Sequence, residues 1–189
     1  YGVAAWTDDF TGWVIDYGYW PGQKSRYFEK SSAPMTLRDK YPDQAAESES
    51  AMLHVGLADL CKSILGRKYL REDGTEQAVD TCMIDANYGP ETETVYEFCK
   101  LSPYRDKLLP SHGVPCGINK PPIHAKKQQR GEIVGWHWRM PSLAKTTKTI
   151  RYINFTPNEW KVFLFKRLAA SRGAVGCLEL PGKRPEDHV

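Results

Sequence analysis

The stretch that most constrains this chain runs from Ala78 to Lys100, AVDTCMIDANYGPETETVYEFCK. Val79, Cys82, Met83 and Ile84 form a short apolar run that stops at Asp85. Asn87, Gly89 and Pro90 follow as turn residues, and Val95, Phe98 and Cys99 then recur at helical spacing. The pattern predicts a buried strand ending in a carboxylate, then a loop, then a helix with one apolar face. In an α/β sheet, ligands bind at the C-terminal ends of such strands. A carboxylate held there needs hydrogen bonds, a counter-charge or a metal, because burying an unpartnered charge is costly. Two readings of Asp85 stand at this point: it caps the turn, or it belongs to a site.

The other elements can be placed around that strand. Tyr1 to Trp6 and Gly12 to Tyr19, separated by Thr7, Asp8 and Asp9, predict an antiparallel hairpin in the same sheet. Asp43 to Leu65 reads as one long helix, with Leu53, Leu57, Leu60, Cys61 and Ile64 as its apolar stripe and Gly66 as its stop. Asp73-Gly74 marks a turn. Lys107 to Pro110 is a short strand that opens into Ser111-His112-Gly113, and Val114 to Arg130 is a Pro/Gly-rich irregular excursion. Ile133 to Met140 and Thr149 to Phe155 read as strands. Thr156-Pro157-Asn158-Glu159 carries a cap, a first-turn proline and a capping box, ahead of a helix buried through Trp160, Phe163, Leu164 and Leu168. Together these elements predict one α/β domain: a mixed central sheet flanked by helices in three layers.

Composition narrows the class. Hydrophobic residues are 41% and charged residues 26%, a soluble globular balance. No apolar run reaches the roughly 20 residues of a membrane span, and no signal peptide is visible at the start. The five cysteines (Cys61, Cys82, Cys99, Cys116, Cys177) are widely spaced and odd in number, as in a reduced cytoplasmic protein. The net charge is +3, but Lys120, Lys126, Lys127, Arg130, Arg139, Lys145, Lys148 and Arg151 crowd one segment against a single acid, Glu132. Such asymmetry points to a polyanion, with a solvated basic loop as the plainer reading.

Several side chains are weighed against Asp85. Asp16, in VIDYGY, is a possible site neighbour or an edge aspartate. Glu91 and Glu93 fall in the first turn of a helix, where the macrodipole favours acids without any site. His112 follows a strand and is either a site neighbour or bonds a loop carbonyl. Cys116, His124 and His137 lack zinc spacing, and Asp187 and His188 lack a third partner for a nucleophilic triad. If Ile133 to Met140 is one strand, Trp136 and Trp138 face one way and His137 and Arg139 the other. Lys120, Lys126, Lys127, Arg130 and Arg139 are then candidate contacts to that polyanion.

The blocks DFTGWVIDYGYWPGQ (9–23), REDG (71–74), MIDANYG (83–89), VYEFCK (95–100), LLPSHG (108–113), VGWHWRMP (134–141) and EWK (159–161) resemble, in order and spacing, terminase large subunits of the lambda type. The resemblance implies the C-terminal nuclease domain of such a subunit, with an RNase H-like fold, cutting concatemeric viral DNA as packaging starts and finishes. It implies a two-metal site of Mg²⁺ or Mn²⁺ held by acids, with Asp85 one of them. The implied partners are double-stranded DNA, the terminase small subunit and the portal, with no membrane, in the host cytoplasm beside the procapsid. By the same resemblance, the family's first acid lies on a strand before Tyr1 and its last beyond PEDHV. Residues 1–189 are thus expected to be a partial domain, incomplete at both ends, that does not cleave DNA alone. No GxxxxGK[ST] loop occurs, so the ATPase half is not expected within it. Two rival readings are a non-catalytic RNase H-like module that binds DNA or docks the motor, and another RNase H-like nuclease.

Overall fold

A computed structural model of the chain describes residues 1–23, 33–117 and 123–180. Strands β1 (Gly2–Trp6) and β2 (Gly12–Tyr17) form the first hairpin, paired antiparallel as their sequence predicts. Two short helices follow, α1 (Leu37–Lys40) and α2 (Pro42–Glu47), then the long helix α3 (Glu49–Leu65). A small ribbon of β3 (Tyr69–Leu70) and β4 (Glu76–Gln77) turns at Asp73-Gly74, where Gly74 takes φ +81. Strand β5 (Cys82–Asp85), helix α4 (Thr92–Leu101) and strand β6 (Leu108–Gly113) form the centre. The chain continues through β7 (Ile133–Gly135), β8 (Trp138–Met140), β9 (Ile153–Phe155), helix α5 (Pro157–Leu168) and β10 (Leu178–Glu179).

The sheets are mixed. The larger has the order β5-β6-β9-β8-β7, with β5, β6 and β9 parallel and β8 and β7 antiparallel to their neighbours. The other has the order β1-β2-β10, β10 running parallel to β2. The expectation that the hairpin shares a sheet with Asp85 is therefore corrected: β1 is the edge of one sheet and β5 the edge of the other. They meet through packing instead, because Val3 of β1 touches the same core as Cys82 and Ile84 of β5.

That core is built by α3, α4, β5 and β6. Cys61, Ile64 and Leu65 descend from α3, Val95, Tyr96, Phe98 and Cys99 from α4, and Leu108 from β6. Phe98 is 1% exposed and meets the edge of His54 at 5.3 Å. Alternation along β5 turns Cys82 and Ile84 to the helices and leaves Met83 and Asp85 on the opposite side. Met83 is 58% exposed, so among the described residues no third layer covers β5 on that face.

Other boundaries depart from the sequence reading for local reasons. The helix expected over Asp43 to Leu65 breaks at Ser48, which is extended (φ −167) and accepts the Ala51 N–H at 3.0 Å, so it caps α3 rather than joining it to α2. Thr36 and Asp39 cap α1 reciprocally, ahead of the residues where the sequence reading begins its helix. Ile133 to Met140 is not one strand but two joined by Trp136-His137, where His137 takes φ 54. Trp138 lies against Gly135, which is why no side chain fits there. Thr156 precedes α5 as expected but makes no side-chain cap. Leu164 and Leu168, read as its buried face, are exposed, and no residue of α5 is buried.

Phe98→Ala is expected to lower the unfolding free energy by about 3–5 kcal/mol through lost burial and a residual cavity. Urea denaturation measures it; a loss below about 1 kcal/mol would mean that this core is not closely packed.

Candidate active site

Strand β5 pairs with β6 rung by rung, Cys82 with Leu108 through Asp85 with Ser111. The pairing runs past the strand, as the Ala86 N–H donates to Ser111 O at 2.9 Å and the Ser111 hydroxyl to Ile84 O at 3.1 Å. Asp85 therefore emerges at the C-terminal end of the strand with its backbone fixed and its side chain exposed. One carboxylate oxygen accepts the Asn87 N–H at 3.1 Å. Among the described residues the other has no hydrogen-bond partner. The turn reading of Asp85 is met by the first oxygen, which orders the loop; the other oxygen is the one the site reading would use.

Asn87 does more than turn the chain. Its Nδ2 donates to Gly113 O at 3.1 Å, which orients the amide and aims Oδ1 at His112 Nδ1, 2.9 Å away. Nδ1 must then carry the proton, so Nε2 accepts from the Tyr96 hydroxyl at 2.9 Å. Burial first, then the charges of Tyr152 and Glu93, push the Tyr96 phenol upward, so it stays a donor. Burial first, and then the Lys148 ammonium, hold the His112 pKa below its ordinary 6.5, against an opposing pull from Asp85. Lys148 lies 4.2 Å over the Tyr96 ring and pairs with Glu93, while Tyr152 meets the edge of His112 at 5.5 Å. His112 is consequently a neutral clamp on the α4 side of the sheet, tied to Asp85 through Asn87. The strand reading of Lys107 to Pro110 stops too early: β6 includes His112 itself.

The remaining candidates separate. Asp16 lies on the smaller sheet and pairs with Arg67 at 2.6 Å, so the structure does not bring it to Asp85. Glu91 is buried and accepts the hydroxyls of Ser50 and Thr94 at 2.8 and 2.7 Å, tying α3 to α4 as a structural acid. Arg139 is corrected from a polyanion contact to a buried residue. It meets Glu132 at 3.3 Å with both side chains 9% exposed, and its guanidinium donates to Lys126 O at 2.5 Å. A cation so held supports the loop that displays Lys126, Lys127 and Arg130, all exposed. Lys120, Asp187 and His188 lie outside the described residues. The sequence reading missed Asn87 as an organiser and Tyr96, Lys148 and Tyr152 as the walls around His112. Only the proximity of Asn87 to Asp85 hinted at any of them.

Asp85 has the chemistry of a ligand for a hard divalent cation. Among the described residues, however, no group of three or more histidines, cysteines or acids is placed to hold a metal. The described residues fit one carboxylate of such a site and not a complete one.

The mixed sheets and flanking helices define a mixed α/β domain, in which an exposed carboxylate ends a parallel strand beside the Asn87–His112 pair. The chain belongs to the endonuclease domain family of the terminase large subunit gpA, whose family model matches residues 1–189. That family gives the chain a nuclease role in DNA packaging. No curated protein and no solved structure matches it. Among the described residues, no helix is long and apolar enough to cross a membrane.

Because the His112 pKa is lowered on folding, the unfolded chain binds this proton more readily. The stability it contributes is present above its ordinary value of 6.5 and is lost as pH falls from there toward the folded value. His112→Gln is expected to flatten the fall in melting temperature between about pH 7.5 and 5.5. A variant that loses stability as steeply as the parent would remove His112 from this account.

Proposed function

We propose that this chain is the part of a viral packaging terminase that hydrolyses phosphodiester bonds in concatemeric double-stranded DNA, at the C-terminal end of β5. The observation that carries the reading is Asp85: an exposed carboxylate, fixed on a parallel strand, with one oxygen uncommitted, in a chain of the endonuclease family. Mg²⁺ or Mn²⁺ is the proposed cofactor, supplying an activated water and a charge for the leaving oxygen. Asp85 would be one ligand. His112 and Asn87 would hold its loop without touching the reacting atoms.

The finer fold reading is RNase H-like, and the two open edges support it. Strands β1 and β5 terminate different sheets, yet pack on one core through Val3, Cys82 and Ile84. By the resemblance, Asp85 matches the acid on the strand that pairs with the family's first strand. The portal, the small subunit and the procapsid are proposed partners on the same ground. The rival is a DNA-binding module without catalysis, in which Asp85 only orders its loop through the Asn87 N–H.

Nicking of supercoiled plasmid separates the two. The intact protein is expected to nick with Mg²⁺ or Mn²⁺, and Asp85→Ala to fall to background. Metal-dependent nicking that survives Asp85→Ala would overturn the assignment of the site.

DNA binding through Lys126, Lys127 and Arg130 should be salt-sensitive and indifferent to sequence. Replacing the three by alanine is expected to reduce the salt slope by about one for each lost phosphate contact. An unchanged slope in the folded variant would assign these cations to solvent.

A further inference from the structure

Helix α5 and the β7–β8 hairpin carry an aromatic surface that the core does not use. The hairpin turns through only two residues, Trp136 and His137, where asparagine and glycine are usual, and His137 occupies the left-handed region at φ 54. This turn lifts Trp136 out of line with Trp138 and leaves it 53% exposed. Its ring stands edge-on to Trp160 at 5.5 Å and tilted against Phe163 at 5.5 Å, and Trp160 and Phe163 meet at 5.2 Å. Phe163 continues the array to Phe10 at 5.5 Å and to Trp6 at 6.3 Å. The Arg167 guanidinium lies 3.5 Å over Phe163.

The position of this surface matters as much as its composition. Pro157 begins α5 directly against the candidate site, since a Cβ on Gly113 would meet Pro157 Cγ at 2.8 Å and Asn87 Nδ2 at 3.4 Å. Trp160 follows three residues later, about one helical turn, or ~5 Å, along the axis. The aromatic array thus starts beside the loop that holds Asp85. Charge favours a polyanion here. Lys161 and Lys166 are exposed on α5 and Arg167 is stacked, while Glu159, the helix's one acid, lies 3.8 Å from His137.

We propose that Trp136, backed by Trp160, stacks on unpaired DNA bases next to the cutting site, so that the domain engages a locally opened strand as well as duplex. The proposal rests on the DNA-cutting reading above. Aromatic faces flanked by cations are how single strands are held without sequence preference, because every base presents a π-face. A fully paired duplex offers Trp136 no such face away from its ends. A protein partner would instead seek the apolar ridge of Val162 and Phe165, which is a separate surface with Phe165 69% exposed.

The test is binding of the chain to a fluorescent oligothymidylate and to a blunt duplex of equal length at one salt concentration. Trp136→Ala is expected to weaken oligothymidylate binding about ten-fold and to leave duplex affinity within about two-fold. The salt slope should not change, because stacking releases no counterions. Trp136→Phe should restore most of the loss. Quenching of intrinsic tryptophan fluorescence by the oligothymidylate, reduced in Trp136→Phe, decides the matter if the alanine variant unfolds. Equal weakening on both DNAs, or none on either, overturns the stacking proposal and leaves the DNA-cutting reading standing. Absence of binding to either DNA overturns both, and an effect confined to protein–protein association assigns Trp136 to a protein partner.

Discussion

The candidate site depends on the parallel pairing of β5 with β6. Four rungs fix the register from Cys82–Leu108 to Asp85–Ser111. A slip of one residue would turn Asp85 toward the helices and Ile84 toward solvent. Register is held from below, where α4 presses Phe98 and Cys99 against the strands, and from the end, where Asn87 joins both loop ends to His112 and Gly113. The carboxylate is therefore placed by packing on one face and by a short polar network at the rim. The buried α3–α4 tie through Glu91 supports the same arrangement from the helix side.

Much of this was legible in the sequence. The apolar run ending at Asp85, the Val95-Phe98-Cys99 spacing and the Asn87-Gly89-Pro90 turn each follow from local rules, and β5, the loop and α4 form where they predict. The first hairpin and the start of α5 are local features too. What was hidden is what strand pairing and burial decide. VGWHWRM has the content of one strand, and nothing local announces a two-residue turn at Trp136-His137. The turn goes with the pairing of Gly135 and Trp138, whose ring lies against the glycine. Likewise, the helical spacing of Leu164 and Leu168 implies a buried face, but which face of α5 meets the protein is settled by Trp136, Trp6 and Phe10.

The basic segment shows the limit of counting charge along a chain. Its cations divide by environment. Arg139 is buried against Glu132, Lys148 pairs with Glu93 over Tyr96, and Lys126, Lys127, Arg130 and Arg151 stay in water. The buried pair would be expensive to break, because one partner removed leaves the other charge uncompensated. The exposed set costs little to display and is the part a polyanion can neutralise. A sequence-level excess of positive charge thus comprises a scaffold and a surface, and the scaffold carries Arg139 and Lys148, two of the residues that gave the segment its character.

We propose that a divalent cation sits at the end of β5, held in part by Asp85. Fe²⁺ exchanged into such a site generates oxidants with ascorbate and peroxide that cut the polypeptide near the bound ion. In the intact protein, backbone cleavage is expected within residues 85–88 and 111–113, the two segments that β5–β6 pairing brings together, suppressed by excess Mg²⁺ and by Asp85→Ala. Cleavage confined to other segments, or unchanged in Asp85→Ala, would contradict it.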